Sequence, residues 1–298
     1  MSRRHLVMLS ALAAIWGASF MFIKVAVKEL APGEVVFGRV LVGTLCLLPA
    51  VPFFVGWRRL AQELRRHAWP LLLVGLGNAS LPFWLLAWGE KRLDSGLAAV
   101  LQAAMPLFTA VLAVLFSRSD RVAGARLAGV VIGFAGVVLL VGAQPSGDVL
   151  SALAVLGSAL CYAASALYAG ARLRQTPPMV TALGTLIVAT VSMLPLGIVD
   201  LPAHAPSWKA IGSIVALGAA GLSVAYLLYF GLISGAGASY AALVTYLAPA
   251  LALVYGALLL DESVTASALG GFALILAGVA LGTGTLRLSR RTPVGETP

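Results

Sequence analysis

The sequence predicts an all-α integral membrane protein whose ten transmembrane helices form two inverted-topology five-helix repeats. Three observations predict it: an extreme composition, ten apolar runs of spanning length, and self-similarity between the two halves. Of the 298 residues, 60% are apolar and 10% charged, with a mean hydropathy of +0.99. Soluble domains are about 45–50% apolar and about 25% charged. A globule of the present composition would lack the polar surface that keeps it in water, which excludes a cytosolic enzyme or a disordered chain. The two cysteines, Cys46 and Cys161, lie inside apolar runs, so neither a disulfide nor a cysteine-based metal site is implied.

A spanning helix needs roughly 20 apolar residues. The runs at 6–26, 34–55, 69–89, 95–117, 122–142, 149–170, 179–199, 208–231, 238–260 and 264–285 meet that requirement. They do not alternate over about ten residues as barrel strands would. The start, Met1-Ser2-Arg3-Arg4-His5 before Leu6, has the form of a secretory signal, but nine further spans make it the first transmembrane helix.

Basic residues on short loops set orientation. With a cytoplasmic N-terminus, the inner side collects fourteen: Arg3, Arg4, Arg58, Arg59, Arg65, Arg66, Arg118, Arg121, Arg126, Arg172, Arg174, Arg287, Arg290 and Arg291. The outer side receives Lys24, Lys28, Lys91, Arg92 and Lys209, together with the acids Glu29, Glu34, Glu90, Asp94, Asp148, Asp200, Asp261 and Glu262. Both termini are therefore expected in the cytoplasm. The net charge of +9 reads as an insertion signal and not as a nucleic-acid footprint.

The halves match residue by residue. Trp16-Gly17-Ala18-Ser19 corresponds to Tyr162-Ala163-Ala164-Ser165 and Leu48-Pro49 to Leu194-Pro195, both at an offset of 146. Gly96, Ala98, Ala99 and Pro106 correspond to Ser239, Ala241, Ala242 and Pro249 at 143, and Gly129 and Gly136 to Gly271 and Gly278 at 142. The division expected is 1–142 for the first repeat, 143–148 for a linker, 149–286 for the second repeat and 287–298 for a cytoplasmic tail. Five is odd, so the second copy enters the membrane upside down. Related loops agree: the arginine-rich 2–3 loop has a counterpart holding Asp200, His204 and one lysine. Inverted repeats that rock about a midplane axis are a transporter signature.

The ten-span layout, the Trp16-Gly17-Ala18-Ser19-Phe20 run, the in-span Arg39 and the Pro-centred segments Met105-Pro106-Leu107 and Ala248-Pro249-Ala250 resemble the EamA-type branch of the drug/metabolite transporter superfamily. Within it, the chain is similar to the YddG-type aromatic amino acid exporters. The resemblance covers essentially the whole chain and implies export of amino acids or similar small metabolites. Glu262 fits the acid that the family often shows after span 9, whereas Ser117-Arg118-Ser119-Asp120 departs from the equivalent pattern after span 4.

Arg39 is the one base well inside a span. Either it snorkels or pairs with an outer acid such as Glu34 or Glu90, or it is the counter-charge for a substrate carboxylate. Gln102 and Thr245 each precede a mid-span proline by four residues, and proline leaves a carbonyl one turn earlier without its amide. This is a polar binding element or a simple packing kink. Asn78 adds an amide near Pro82. Trp16, Tyr162 and Tyr246 lie too deep for the interfacial belt that suits Trp57, Trp69, Trp88 and Trp208. The expected central cavity is lined by Trp16, Ser19, Asn78, Gln102, Tyr162, Ser165, Thr245 and Tyr246, with helix breaks at Pro82, Pro106 and Pro249. Ala125, Gly129, Gly133, Gly278 and Gly282 give close-packing faces assigned to scaffold.

No carboxylate lies mid-span, and Glu90, Asp94 and Glu262 read as solvated loop residues. That predicts a gradient-driven carrier or exchanger without a midplane proton relay. No cofactor and no metal are expected, and no Lys/Arg cluster stands ready for a phosphorylated substrate. The predicted function is export of small metabolites, neutral or aromatic amino acids foremost, by a monomer or weak homodimer in the lipid bilayer. A multidrug, organic-cation or sugar transporter of the same fold, or a channel-like facilitator, is the alternative. Sixteen arginines to four lysines suggest a GC-rich bacterial genome and hence the bacterial inner membrane.

Overall fold

The computed structural model of the chain describes residues 2–116, 125–143, 148–199 and 204–282. The segment bearing Arg118 and Arg121, most of the expected linker, Asp200 and the tail beyond 282 lie outside the described residues, as do the side chains of Ala125, Arg126, Ser239 and Gly282. Among the described residues every element is helical. In order they are α1 (Arg3–Ala26), α2 (Pro32–Leu47), α3 (Val51–Phe54), α4 (Trp57–Arg66), α5 (Ala68–Gly75), α6 (Leu81–Glu90), α7 (Ser95–Gln102) and α8 (Met105–Phe116). There follow α9 (Ala125–Gly142), α10 (Val149–Arg172), α11 (Pro178–Val199), α12 (Trp208–Val215), α13 (Ala225–Ala236), α14 (Ala238–Ala241), α15 (Val244–Leu259) and α16 (Ala266–Gly282). Two π-helical segments, Leu76–Ser80 and Ala216–Val224, join α5 to α6 and α12 to α13.

Seven helical stretches among the described residues are long and apolar enough to cross a membrane; Leu127–Gly142, Val244–Leu259 and Ala266–Leu281 are shorter apolar helices. Large apolar side chains such as Phe53, Val138, Val191 and Leu258 are mostly exposed along these helices. A surface of that kind suits lipid and not water.

Local chemistry explains the helix starts. Ser2 caps α1 by accepting from the His5 amide at 3.3 Å, and Ser207 caps α12 by accepting from the Ala210 amide at 3.3 Å. In α2, Pro32 takes the first position and the Glu34 carboxylate accepts from the Ala31 amide at 2.7 Å. Ten residues read from sequence as a basic loop form a helix instead, α4. Its arginines, Leu60, Gln62 and Glu63 are good helix formers, and Leu60 supplies a buried anchor.

Each expected proline break has its own form. Pro106 is the second residue of α8, and the chain turns at 103–104 just before it, where its ring would otherwise meet the Gln102 carbonyl. Pro82 opens α6 directly after the first π segment. Pro249 stays inside α15, whose break falls earlier, between Ala241 and Val244.

Packing follows the small residues. A Cβ at Gly17 would lie 2.8 Å from the Ala248 carbonyl oxygen, so α1 and α15 meet backbone to backbone. One at Gly278 would lie 2.5 Å from the Gly129 oxygen, and one at Gly136 would lie 2.7 Å from that of Gly271. The close faces expected on α9 and α16 therefore meet each other. α2 packs along α11, α6 along α10, and α7 along α15.

Candidate functional site

Arg39 stands on the inner face of α2 and is 5% exposed. Its guanidinium carbon sits 3.9 Å from the centroid of the Phe83 ring of α6. Its buried Nε has no hydrogen-bond partner among the described residues. Tyr162 of α10 and Tyr226 of α13 are close enough to act on its charge. Phe83 and Tyr162 lie 6.1 Å apart between ring centroids, as do Tyr226 and Phe230, and Phe230 and Tyr229. Tyr229 continues to Trp16 of α1 at 5.5 Å. A band of rings drawn from both halves thus passes beside one buried cation.

The π segments shape this region, because an i→i−5 bulge frees carbonyls and shifts side chains. The Trp16 indole donates to the Gly221 carbonyl at 3.1 Å, inside the second segment. Ser19 faces that segment too: a Cβ at Gly221 would lie 3.2 Å from its oxygen. Ser165 approaches Gly77 in the first segment, closely enough that a Cβ there would clash. Ser80 donates to the Gly75 carbonyl at 3.2 Å and Ser223 to the Gly218 carbonyl at 3.3 Å.

Of the residues picked from sequence, the structure brings Arg39, Trp16 and Tyr162 into the ring band, with Ser19 and Ser165 against the π segments. Ser19 spends its proton on the Ile15 carbonyl at 3.0 Å. Asn78 is half-buried within the first π segment. Gln102 and Thr245 belong to the neighbouring α7–α15 pair. The Gln102 Oε1 is buried without a partner, whereas the Thr245 hydroxyl donates to the Ala242 carbonyl at 2.7 Å. Tyr246 packs half-buried against the main apolar core. Phe83 and Tyr226 could have been added from their matched offset of 143; Tyr229 and Phe230 carried no such signal.

One end of the bundle gathers the acids, and here the structure corrects the sequence reading. Glu90 is not a solvated loop residue: it ends α6, is 0% exposed, and neither carboxylate oxygen has a hydrogen-bond partner among the described residues. Lys24 donates to the backbone carbonyls of Glu90 at 2.9 Å and Leu93 at 2.7 Å. Glu262 is structural as well, accepting from the Ser95 amide and hydroxyl, each at 2.8 Å, and from the Gly96 amide at 3.1 Å. It thereby caps α7 from the other half of the chain. Glu29 repeats the device on Ser207, at 2.8 Å from the amide and 2.6 Å from the hydroxyl.

These hydrogen bonds hold the exposed Glu29 carboxyl below its ordinary range. Burial, reinforced by the Glu262 charge, pushes Asp94 up. A cleft of about 370 Å³ lies among Lys24, Lys28, Asp94, Asp261 and Glu262. Among the described residues no cluster of three metal-binding side chains occurs.

Long apolar helices, lipid-suited surfaces and a buried cation among rings define a multi-pass helical membrane protein. The chain belongs to the EamA-like transporter family, which matches it twice, over residues 4–142 and 149–283. It is 25% identical over 274 residues to an uncharacterized transporter of Archaeoglobus fulgidus, covering 92% of this chain and 96% of the relative. It is 28% identical over 317 residues to a probable amino-acid metabolite efflux pump of Escherichia coli K12, covering 99% and 100%. A crystal structure with 19% identity superposes with a TM-score of 0.64 over 95% of this chain and 97% of the other, a likeness of fold.

Proposed function

We propose that the chain exports small zwitterionic metabolites, neutral and aromatic amino acids foremost, by alternating access between two inverted five-helix halves, 1–142 and 149–286. In this reading there are ten spans, the membrane is the bacterial inner membrane, both termini are cytoplasmic and the acidic end faces outward. The basic residues at Arg3, Arg4, Arg58, Arg59, Arg65 and Arg66 favour that orientation.

Pseudo-symmetry supports the two halves. The hydroxyls of Thr44 and Thr190, counterparts at an offset of 146, meet each other at 3.0 Å. A two-fold axis between the halves would bring equivalent residues together in this way. The packing pattern is also matched: α1 against α13 answers α10 against α6, and α1 against α15 answers α10 against α7 and α8.

The observation that carries the functional reading is Arg39. Stacking on Phe83 contributes about 2 kcal/mol for a desolvated cation, yet a guanidinium offers five donors. A buried charge with an unmatched donor is costly unless something completes it, and a substrate carboxylate fits the planar fork. The same charge disfavours organic cations. Its counterpart in the second half is Thr185, so the pseudo-symmetry does not repeat the cation and a ligand binds in one direction.

The test is uptake into proteoliposomes of a panel of aromatic and aliphatic amino acids, sugars and organic cations. Amino acids are expected to move, with Arg39→Ala losing at least tenfold in rate and Arg39→Lys recovering only part of it. Equal transport by all three proteins would remove Arg39 from the site.

A further inference from the structure

Among the described residues the Glu90 carboxylate has no hydrogen-bond partner. Burying an ionised carboxylate without partners is expensive, and such groups persist where function needs them. Its own backbone carbonyl, and not its side chain, takes the Lys24 ammonium. Glu90 follows Phe83 by seven residues on α6, about two helical turns or roughly 10 Å along the axis. Phe83 is the ring on which Arg39 lies. The charges of Arg39 and Glu90 act on one another across that interval.

We propose that Glu90 is the second, exchangeable pole of the binding site: it holds a proton in the closed arrangement and gives it up to water when the ammonium group of an α-amino acid, whose carboxylate sits on Arg39, takes the proton's place. The proposal rests on the transport reading above and adds its coupling. The balance is simple. Glu90 as the neutral acid meets a ligand ammonium, the proton leaves to water in the opened cleft, and a carboxylate–ammonium pair remains. Proton and ligand then compete for one group, which makes each export cycle a proton exchange. It differs from the gradient-driven carrier expected from sequence, which rested on the lack of a mid-span carboxylate and on Glu90 reading as a solvated loop residue.

The charged and titratable groups around Glu90 are few. Lys24 faces it from α1, Arg39 from α2, and Glu262 from the loop after α15. Asp94 lies in the turn to α7, and Ser151 of α10, whose hydroxyl has no hydrogen-bond partner among the described residues, packs against the neighbouring Gly89.

The test uses the full chain purified in weakly buffered detergent near neutral pH. Adding L-phenylalanine to the wild-type protein should release close to one proton per bound ligand, and the affinity should rise as pH rises. Glu90→Gln should release none and bind with an affinity independent of pH. Wild-type binding without proton release, or undiminished release by Glu90→Gln, overturns the proposal. A ligand-free infrared measurement gives a reading that needs no substrate. The wild type should show a protonated carboxylic acid that Glu90→Gln and Glu90→Ala lack, and its absence from the wild type overturns the proposal too. Failure of every amino acid to bind, with that acid signal present, would instead count against the transport reading and leave the Glu90 proton established.

Discussion

Removing the Glu262 carboxylate should open the acidic end of the bundle. The side chain accepts three hydrogen bonds, two from the first amides of α7 and one from the hydroxyl of Ser95, which is fully buried. Loss of a helix cap costs about 0.5–2 kcal/mol, and hydrogen bonds to a charged group contribute a net of about 1.5–3 kcal/mol each where they stay buried. Once the rim opens, water can reach Ser95 and Gly96, so we take about 2 kcal/mol as the net loss from the closed state for Glu262→Ala. At 1.4 kcal/mol per factor of ten, that shifts the open-to-closed ratio about 30-fold. A cysteine at Leu97, which lines the small cavity beside Glu262, reports the change in a protein whose Cys46 and Cys161 are replaced by serine. Its modification by a membrane-impermeant maleimide should accelerate by about that factor, with Glu262→Gln between the two. An unchanged rate would refute the idea that this carboxylate holds the halves together.

Three further outcomes follow from the geometry. Gly278→Ala places a methyl 2.5 Å from the backbone of Gly129 and Gly133, so α9 and α16 must part, at a cost of about 1–3 kcal/mol; the melting temperature in detergent should fall, whereas Gly142→Ala, which meets nothing within 4 Å, should leave it unchanged. Thr44→Val and Thr190→Val should show a coupling of about 0.5–1.5 kcal/mol in a double-mutant thermal cycle, and strict additivity would contradict contact across the axis. Asp94 is raised by burial and by Glu262, so its contribution to closure is present at low pH and lost as pH rises through its titration. Maleimide modification at Leu97→Cys, divided at each pH by the rate for the same cysteine in denatured protein because the thiolate fraction itself rises with pH, should therefore speed up with pH, and Asp94→Asn should flatten that ratio.

How much of this was legible in the sequence depended on what each feature requires. Membrane spans need long apolar runs, and repeats need matched residues, so the helical plan, Trp16, Tyr162 and Arg39 all stood out. Backbone geometry left weaker marks. The π segments replace an ordinary helical register over Leu76–Ser80 and Ala216–Val224, and their Gly-, Ala- and Ser-containing sequences suit an ordinary helix equally well. α4 left no apolar signature, because four of its ten residues are arginines and Leu60 is its one buried anchor. Glu90 was misjudged for a physical reason: its place at a span end says nothing about whether α1, α2 and α10 close over it.

The central claim is that two halves of one chain alternate around a site centred on Arg39. Counterflow tests it most directly. Proteoliposomes preloaded with unlabelled L-phenylalanine should take up the labelled form along a saturable curve, faster than empty ones and transiently above equilibrium. Flux linear in concentration and indifferent to preloading would contradict a carrier and leave a continuous pore.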